Sequence, residues 1–264
     1  MSLPSEPARA NPVRVRPGEE LDLAAVDAWL KARVPGLSGE PELSQFSGGA
    51  SNWTYRLLYP THDLVLRRPP AGTKAKSAHD MGREYRIQKA LGASFPLVPE
   101  MVVFCDDTSV IGCEFYVMRR VEGRILRKNL PQGLSLSPET TRALCLSAID
   151  TLIALHAVKV AGSDLESMGK GGGYARRQIE GWCDRYRKAR TWNVGRFEGV
   201  MEWLASHTPE DSGACVIHND FRFDNIVLDS AEPTRIVGVL DWEMATIGDP
   251  LMDLLAMNLL LLPK

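Results

Sequence analysis

The 264-residue sequence has few cysteines and no hydrophobic run long enough to cross a bilayer. Its five cysteines are an odd number, lie far apart and include no C-x-x-C pair. This pattern argues against a disulfide framework or a structural zinc site and is typical of a reducing compartment, so we expect a cytoplasmic protein. The longest apolar run, residues 251–262, contains Asp253 and Asn258 and is too short for a transmembrane helix. It predicts a buried helix instead.

The sequence also has no large excess of positively or negatively charged residues. The 31 Lys and Arg residues nearly balance 33 Asp and Glu residues, which gives a formal net charge of −2 at pH 7. A nearly neutral chain has no general attraction for nucleic acid or for an anionic membrane, so neither is expected as a partner. Hydrophobic residues make up 44% of the sequence, which is enough to bury the core of one large or two closely packed domains.

Turn residues and hydrophobic periodicity divide the chain into a β-rich part and a helix-rich part. A helical pattern over residues 19–34 precedes several short strand-like runs, which are separated by Gly, Pro and Ser. The pattern changes after Gly123, where a helix start follows with Ser137 as the expected cap and Pro138 at the first helical position. The predicted architecture is therefore α+β, with an antiparallel β lobe, a helical lobe and a cleft between them. The expected boundaries are residues 1–18 for a flexible N-terminus, 19–121 for the β-rich lobe and 122–264 for the helical lobe.

Individual elements can be predicted with approximate bounds. Strands are expected over residues 42–46, 53–59, 63–67, 101–105, 114–118, 215–217, 226–228 and 236–240. Helices are expected over residues 19–34, 79–91, 138 to 155 or 158, 174–189 and 196–205.

The strongest chemical signal is a polar loop between two apolar runs, residues 216–228, which contains the pattern H-x-D-x-x-x-x-N. Phosphoryl transfer requires a carboxylate that accepts the proton of the attacking hydroxyl, and ligands for the Mg²⁺ that bridges the phosphates. Asp220 is placed for the first role, and Asn225 offers a neutral oxygen for the second, by analogy with the catalytic loop of protein kinases. His218 is expected to be a structural hydrogen-bonding residue of this loop.

A second acidic residue, Asp241, ends the apolar run that follows. A carboxylate at the end of a strand can be presented to a hard cation across a cleft. Asp220 and Asp241 are 21 positions apart, which leaves room for a hairpin that brings them together. Asn225 and Asp241 are therefore the predicted Mg²⁺ ligands.

At these residues the sequence resembles the aminoglycoside phosphotransferase and choline kinase family of small-molecule kinases. Within that family it is most similar to the kinase-like domain associated with acyl-CoA dehydrogenases. The matching segments follow the family order from about residue 43 to residue 261. Besides the two acidic motifs, they are FSGGASN at 46–52, VLRRPP at 65–70, GREY at 82–85, FYVMRRVEG at 115–123 and GDPLMDL at 248–254.

The resemblance implies a protein-kinase-like two-lobed fold, the cofactors ATP and Mg²⁺, and transfer of the γ-phosphoryl group of ATP to a hydroxyl of a small molecule. The acceptor is expected to be aminoglycoside-like or hydroxyacyl-CoA-like, and an association with an acyl-CoA dehydrogenase is expected. Since relatives continue beyond the position of Lys264, we expect the helical lobe to be incomplete at its C-terminal end. The residues expected at the nucleotide are Ser47, Gly48, Gly49, Ser51 and Asn52 over the phosphates, Glu84 paired with a strand cation, and Met118, Arg119 and Val121 at the adenine.

Two positions depart from the usual family pattern. Many relatives use Lys on the third strand, whereas Arg67 occupies that position here. Arg67 is the expected working cation, although Lys74 or Lys76 could take its place, and Arg and Lys are not equivalent at a phosphate site. Asn219 occupies the position where the family most often has glycine, next to the predicted proton acceptor.

Other interpretations of the sequence remain open. The chain could be a catalytically silent, kinase-like nucleotide-binding module, an alternative that Arg67 favours and the intact acidic residues oppose. A protein kinase is less favoured, because the short stretch after Asp241 leaves little room for a long activation loop. Asp249 is expected to cap a helix, Asp253 to be structural and His156 to be a satisfied core residue. Trp182, Trp192 and Trp203 could line a substrate groove, but core packing is the favoured interpretation.

Overall fold

A computed structural model describes residues 13–46, 52–70, 80–127, 130 and 135–255. Its N-terminal part is a five-stranded antiparallel sheet with the strand order β1-β2-β3-β5-β4. Two helices, α1 and α2, belong to this part. The elements are α1 (Leu23–Lys31), β1 (Glu42–Gln45), β2 (Trp53–Leu58), β3 (Asp63–Arg68), α2 (Met81–Leu91), β4 (Met101–Cys105) and β5 (Phe115–Arg119).

The alternation of side chains along β3 decides which residues face the cleft. Leu64 and Leu66 point to one face of the sheet, where they join a buried cluster that includes residues of α1. Val65 lies on the opposite face, in a second cluster with residues of α2 and β5. Because successive side chains of a strand point to opposite faces, Arg67 shares the face of Val65. The Arg67 side chain is thereby directed toward α2 and away from the apolar cluster that includes residues of α1.

In its described residues, the second part of the chain combines three helices, and a further helical segment at residues 251–255, with short strand pairs. Strand β6 (Arg124–Ile125) pairs with β8 (Ile226–Leu228), which pairs with β9 (Ile236–Val239), and β7 (Cys215–Ile217) pairs with β10 (Thr246–Gly248). The helices are α3 (Pro138–His156), α4 (Tyr174–Ala189) and α5 (Glu198–Ser206). The largest apolar cluster joins α3 to these strands and also takes in Ile87 and Leu91 of α2. Helix α2 therefore packs against both parts of the molecule.

The α+β prediction is confirmed, and most predicted elements agree with the structure within a few residues. The boundaries predicted for the N-terminus and the two lobes stay predictions; residues 13 and 16 hydrogen-bond to Gln45 of β1. None of the helices in the described part of the chain combines the length and apolar character needed to cross a bilayer.

Two expectations about burial are wrong. In the run from residue 251, Leu251, Leu254 and Leu255 are exposed while Asp253 is fully buried, because this turn contacts its neighbours through its acidic side. Residues 256–262 of the run lie outside the described residues. The three tryptophans expected in the core are exposed, with Trp192 reaching 94%. Helices α4 and α5 pack against each other, and within the described residues of α4 only Tyr174 is buried.

Candidate active site

A cleft of about 550 Å³ lies between the two parts of the molecule. The N-terminal sheet forms one wall, and the loops that follow β7 and β9 form the other. The N-terminal part contributes Phe46, Asn52, Thr54, Val65, Arg67, Met118, Arg119, Arg120 and Val121 to the lining. The second part contributes Asp220, Arg222, Asp224, Asn225, Leu240, Asp241 and Glu243, among others. The cleft thus brings the three predicted catalytic and metal-binding residues to one place.

The loop after β7 is anchored through His218. This side chain is buried, and burial lowers the pKa of its imidazole below the ordinary value. Its Nδ1 lies 3.2 Å from the backbone nitrogen of Asp220 and accepts that N–H, so the ring proton belongs on Nε2. Nε2 then donates to the carbonyl of Leu240 at 2.9 Å. A neutral histidine in this tautomer links the loop of Asp220 to the strand end before Asp241, which confirms its predicted structural role.

The buried carboxylate of Asp253 also anchors the loop that follows β7. Asp253 accepts the backbone N–H groups of His218 at 2.9 Å and Asn219 at 2.6 Å. The Nε2 atom of His156 lies 3.0 Å from the same carboxylate. The structural roles predicted for Asp253 and His156 are confirmed by these contacts. Asp249, the predicted cap, accepts the backbone N–H of Leu251 at 2.8 Å.

Asp220 and Asn225 are joined directly. The Asn225 Nδ2 donates to Asp220 Oδ2 at 2.8 Å and to the Asp220 carbonyl at 2.9 Å. The Asn225 carbonyl accepts the backbone N–H of Leu240 at 2.7 Å, which ties this turn to the end of β9. Because its amide nitrogen is used by Asp220, the oxygen atom Oδ1 is what the Asn225 side chain can offer to a cation.

Asp241 adopts a left-handed backbone conformation, with φ 66°. A non-glycine residue there costs roughly 1–3 kcal/mol and persists only when its surroundings fix it. The next residue, Trp242, supplies that support, since its buried ring packs against Phe95 and His218 and its Nε1 donates to the Val239 carbonyl at 2.8 Å. The Asp241 side chain is consequently held in the lining of the cleft, where it stays one-third exposed.

Arg67 meets three carboxylates at this point. Its Nη2 atom is 3.0 Å from Asp241 Oδ1, 3.4 Å from Glu84 Oε1 and 3.7 Å from Glu243 Oε2. Burial alone lowers the pKa of the guanidinium, but the negative charges of Glu84 and Asp241 outweigh burial and raise this pKa well above its ordinary value. Arg67 is therefore a permanent positive charge among carboxylates, a role that an arginine performs more securely than a lysine.

Glu84 is the most buried of these acids, with 2% of its surface exposed. Burial raises its pKa, although Arg67 and a hydrogen bond from the Tyr116 hydroxyl at 2.8 Å act in the opposite direction. Gln88 completes the cluster by donating to the Glu84 carbonyl and to the Tyr116 hydroxyl. Within the described residues, Glu84 Oε2 and Arg67 Nε have no hydrogen-bond partner. The pairing of Arg67 with Glu84 expected from the resemblance thus has a close contact here.

The remaining predicted nucleotide residues are only partly described. Asn52 is buried and donates from Nδ2 to Glu243 Oε2 at 2.9 Å. The side chains expected near adenine lie at and just after the end of β5, in the lining of the cleft. Ser47, Gly48, Gly49, Ser51, Lys74 and Lys76 lie outside the described residues.

Sequence reasoning missed several side chains that contact this site, among them Glu243 and Arg83. Glu243, two residues after Asp241, contacts both Arg67 and Asn52, and its position in the same acidic motif was a signal for it. Arg83, next to Glu84 on α2, donates from Nη2 to the Ala245 carbonyl at 2.5 Å. No local pattern marks that contact, because its partner is 162 residues away.

The acidic residues fit a magnesium ion that is held in part by phosphates. Within the described part of the chain, no group of three or more His, Cys, Asp or Glu side chains is arranged to hold a metal ion by itself. Mg²⁺ is usually bound by one or two carboxylates together with substrate phosphates and waters, and not by a complete protein cage. The carboxylate of Asp241 and the amide oxygen of Asn225, in one cleft, are the donor types that such an ion takes.

Comparison with known proteins agrees with this site. A family model described as a phosphotransferase enzyme family matches residues 42–260. Acyl-CoA dehydrogenase family member 11 of Homo sapiens is 38% identical over 257 residues, a match that covers 95% of this chain and 32% of that protein. The chain therefore spans about a fifth to a third of the length of the curated relatives that it matches.

Solved structures show the same architecture. A crystal structure from Ralstonia eutropha JMP134, assigned as an aminoglycoside phosphotransferase, has a TM-score of 0.77 and 33% identity, and the match covers 92% of this chain and 71% of that one. The ternary complex of streptomycin, ATP and APH(2″)-IIa has a TM-score of 0.62 at 19% identity, covering 90% and 75%, which shows the fold alone. The predicted protein-kinase-like two-lobed fold is confirmed. With a family model along most of its length, the chain belongs to the phosphotransferase enzyme family.

Proposed function

We propose that this chain is a small-molecule kinase that transfers the γ-phosphoryl group of ATP to a hydroxyl, with Mg²⁺ as the metal. Membership of the phosphotransferase family supports the reaction class. The observation that carries the proposal is the meeting of Asp220, Asn225 and Asp241 with the Arg67–Glu84 pair in one cleft. This is the set of groups that phosphoryl transfer requires of a protein, since the reaction is catalysed by positioning and electrostatic stabilisation.

In the proposed mechanism Asp220 orients the acceptor hydroxyl and accepts its proton. Its Oδ2 is fixed by the Asn225 amide at 2.8 Å, so the carboxylate has one preferred orientation toward the cleft. Asn225 and Asp241 would hold Mg²⁺, which when bound neutralises charge on the phosphate oxygens. Arg67, oriented by Glu84, steadies the phosphates through its guanidinium.

The nucleotide is proposed to lie against the N-terminal sheet, between β1 and β5. Ser47, Gly48, Gly49, Ser51 and Asn52 would cover its phosphates through backbone N–H groups, and Asn52 contributes a side chain already anchored to Glu243. Met118, Arg119 and Val121 would meet the adenine. Under this proposal residues 19–121 form the nucleotide-binding lobe and residues 122–264 the catalytic lobe.

The names of the relatives favour one of the two acceptor classes. The cleft itself carries both charges, because five arginines, Arg67, Arg119, Arg120, Arg127 and Arg222, line it together with the four acids Asp220, Asp224, Asp241 and Glu243. This mixed lining is compatible with a cationic aminoglycoside and with an anionic acceptor. We propose a hydroxyacyl-CoA-like acceptor and an association with an acyl-CoA dehydrogenase, which the names of the relatives support. A cytoplasmic location is supported by five cysteines that are all free.

The test is ATP binding by calorimetry with and without Mg²⁺, followed by turnover with a panel of hydroxylated acceptors. The variant is Asp241→Asn, which keeps the shape of the side chain and removes its charge. Glu232→Gln on the β8–β9 hairpin, two-thirds exposed, is the matched control. We expect Mg²⁺-dependent ATP binding in the parent and control that weakens in Asp241→Asn. Binding that is absent from the folded parent would contradict the assignment.

A catalytically silent nucleotide-binding module is the second candidate. The observation in its favour is the 3.0 Å contact between Arg67 and Asp241, because the guanidinium occupies the carboxylate that a metal would use. A silent module predicts ATP binding that is indifferent to Mg²⁺ and no turnover with any acceptor. The kinase predicts the opposite on both measurements.

A further inference from the structure

Three consecutive backbone carbonyls after Asp241 accept hydrogen bonds from two distant parts of the chain. The guanidinium of Arg83 donates from Nη2 to the Ala245 carbonyl at 2.5 Å and, at 3.5 Å, from Nη1 to the Glu243 carbonyl. Between them, the Met244 carbonyl accepts from Asn219 Nδ2 at 3.0 Å. We call these contacts the carbonyl clamp.

One arm of the clamp is the residue that replaces the usual glycine of the catalytic loop. Asn219 has φ 63°, the left-handed conformation that glycine adopts freely and that asparagine tolerates better than most residues. Glycine would satisfy the backbone equally well but has no side chain to donate. Asparagine therefore adds the bond to Met244, and a longer contact of 3.4 Å with the buried Tyr174 hydroxyl.

The other arm comes from α2. Arg83 precedes Glu84, so two neighbouring residues of one helix reach the same loop by different routes. Glu84 acts through Arg67 on the side chains of Asp241 and Glu243, while Arg83 holds the backbone that follows them. The loop is consequently fixed to α2 at its side chains and at its carbonyls.

We propose that Arg83 and Asn219 are positioning residues. They hold Asp241 in its position relative to Asp220 on one side and to the Arg67–Glu84 pair on the other. This inference rests on the proposed function. Neither side chain has to touch the reacting atoms, because each acts through the loop backbone. Fixing that backbone matters because Asp241 is itself in a strained left-handed conformation, which a loosened loop can leave.

Loss of either arm has a defined expected effect. Groups that orient a metal ligand without touching the metal typically change metal affinity by 10-fold to 100-fold. Since the clamp acts through the backbone and not on the carboxylate, we expect about tenfold weaker Mg²⁺ binding at saturating ATP for each single loss. The two losses should be less than additive, because both release the same loop.

The experiment compares Asn219→Gly and Arg83→Gln with the parent. Glycine accepts φ 63°, so Asn219→Gly removes the side-chain bond without straining the backbone. Arg86→Gln, an exposed arginine on the same helix, is the matched control, and Arg83→Lys retains a single donor if Arg83→Gln proves unstable. Two measurements are made: the apparent Mg²⁺ affinity by calorimetry at saturating ATP, and amide hydrogen exchange over residues 242–246.

The expected result is about tenfold weaker Mg²⁺ binding in both variants, with roughly fivefold faster amide exchange at Ala245. The double variant should show less than the product of the two effects, and Arg86→Gln should match the parent. Affinity and exchange equal to those of the control in both variants would overturn the clamp. If the parent itself bound no Mg²⁺ with ATP, the proposed kinase function would be rejected. Amide exchange would still test the clamp: faster exchange in the variants would support it, and unaltered exchange would overturn it.

Discussion

Beside the cleft, a cluster of polar side chains is packed where solvent hardly reaches, whereas on the α4–α5 hairpin large aromatic side chains face the solvent. Arg67, Glu84, Gln88 and Tyr116 are each less than a tenth exposed and contact one another through hydrogen bonds or ion pairs. On the hairpin, by contrast, Trp192 is almost entirely exposed. The first region buries polar side chains and the second exposes aromatic ones, and each is the reverse of what is usual for that type of side chain.

The two inversions differ in their energetic consequences. A buried charge is tolerated only when it is paired, so the contacts within the cleft cluster depend on one another. The exposed aromatics are stabilised by neighbours in the hairpin: Tyr186 packs edge-on against Phe197, and the Arg185 guanidinium lies 4.7 Å from the centre of the Trp182 ring. Such contacts are individually weak and independent. A change in the cleft should therefore propagate, and a change on the hairpin should stay local.

The largest expected effect is on turnover, at the loop that closes the cleft. Asp220→Asn removes the proposed proton acceptor while keeping the shape that Asn225 contacts. Loss of a general base typically lowers kcat by about 10²–10⁴-fold, and ATP affinity should stay within about twofold because Asp220 faces the acceptor. Steady-state kinetics with calorimetry of ATP binding checks both. An Asp220→Asn protein with the kcat of the parent would assign the proton to another group.

The next effect is on stability, in the buried cluster. Arg67→Ala leaves Glu84 buried with no cation beside it, and breaking a buried pair from one side costs about 3–5 kcal/mol. The matched control is Arg235→Ala, which removes an exposed arginine paired with Asp229 and Glu232 and should cost less than about 1 kcal/mol. Urea unfolding measures both free energies. Equal losses in the two variants would mean that the cleft cluster is no more interdependent than a surface pair.

A smaller effect is expected on the pH dependence of stability. Burial lowers the pKa of His218, so between that value and the ordinary histidine value of about 6.5 the unfolded chain binds more protons than the folded one. The contribution of His218 is therefore present above about pH 6.5 and is lost as pH falls, by at most about 1.4 kcal/mol per pH unit. Glu84 acts in the opposite sense, because burial raises its pKa and the folded state takes up the proton first.

Two variants separate these opposing contributions. His218→Gln should flatten the loss of stability between pH 7.5 and pH 5.5, because its side chain does not titrate. Glu84→Gln should make the loss steeper as the pH falls toward about 4.5, the ordinary value of a glutamate pKa, since it removes the group whose protonation favours the folded state. The measurement is the free energy of unfolding in urea from pH 7.5 to pH 4.5. Parallel curves for parent and both variants would place the relevant titration elsewhere in the molecule.

Local patterns predicted most of the elements, and the reasons are visible in particular residues. The short apolar run of β3 and the cap and proline at Ser137 and Pro138 depend on neighbours in sequence, so strands and helices were predicted within a few residues. Asp220, Asn225 and Asp241 could be named because their spacing is fixed by one loop and one hairpin. Their roles, like those of Arg67 and Glu84, came from analogy with known kinases and remain proposals.

Contacts between distant segments were beyond the reach of such patterns. The apolar residues after Leu251 and the three tryptophans have the composition of a core, but burial depends on which surface a helix meets, and that information is not local. The bond from Arg83 to Ala245 and the bond from Asn219 to Met244 are likewise made across the fold. The sequence marks Asn219 only as a departure from glycine, whereas the structure shows the carbonyl that accepts from its side chain.

The smallest expected effect is on the free energy of unfolding when the hairpin is changed. This variant tests the difference between the two regions most directly. Trp192→Ala removes the most exposed aromatic, and a surface substitution without buried contacts should change the free energy of unfolding by no more than about 0.5 kcal/mol. Trp242→Leu is the matched contrast, because it truncates a fully buried ring and should cost about 3 kcal/mol or more. Amide exchange should likewise be faster in α4 than in α3, whose residues Leu144, Leu152 and Leu155 are in the core. A Trp192→Ala protein destabilised as much as Trp242→Leu would show that the hairpin is coupled to the core, and the contrast between the two regions would then fail.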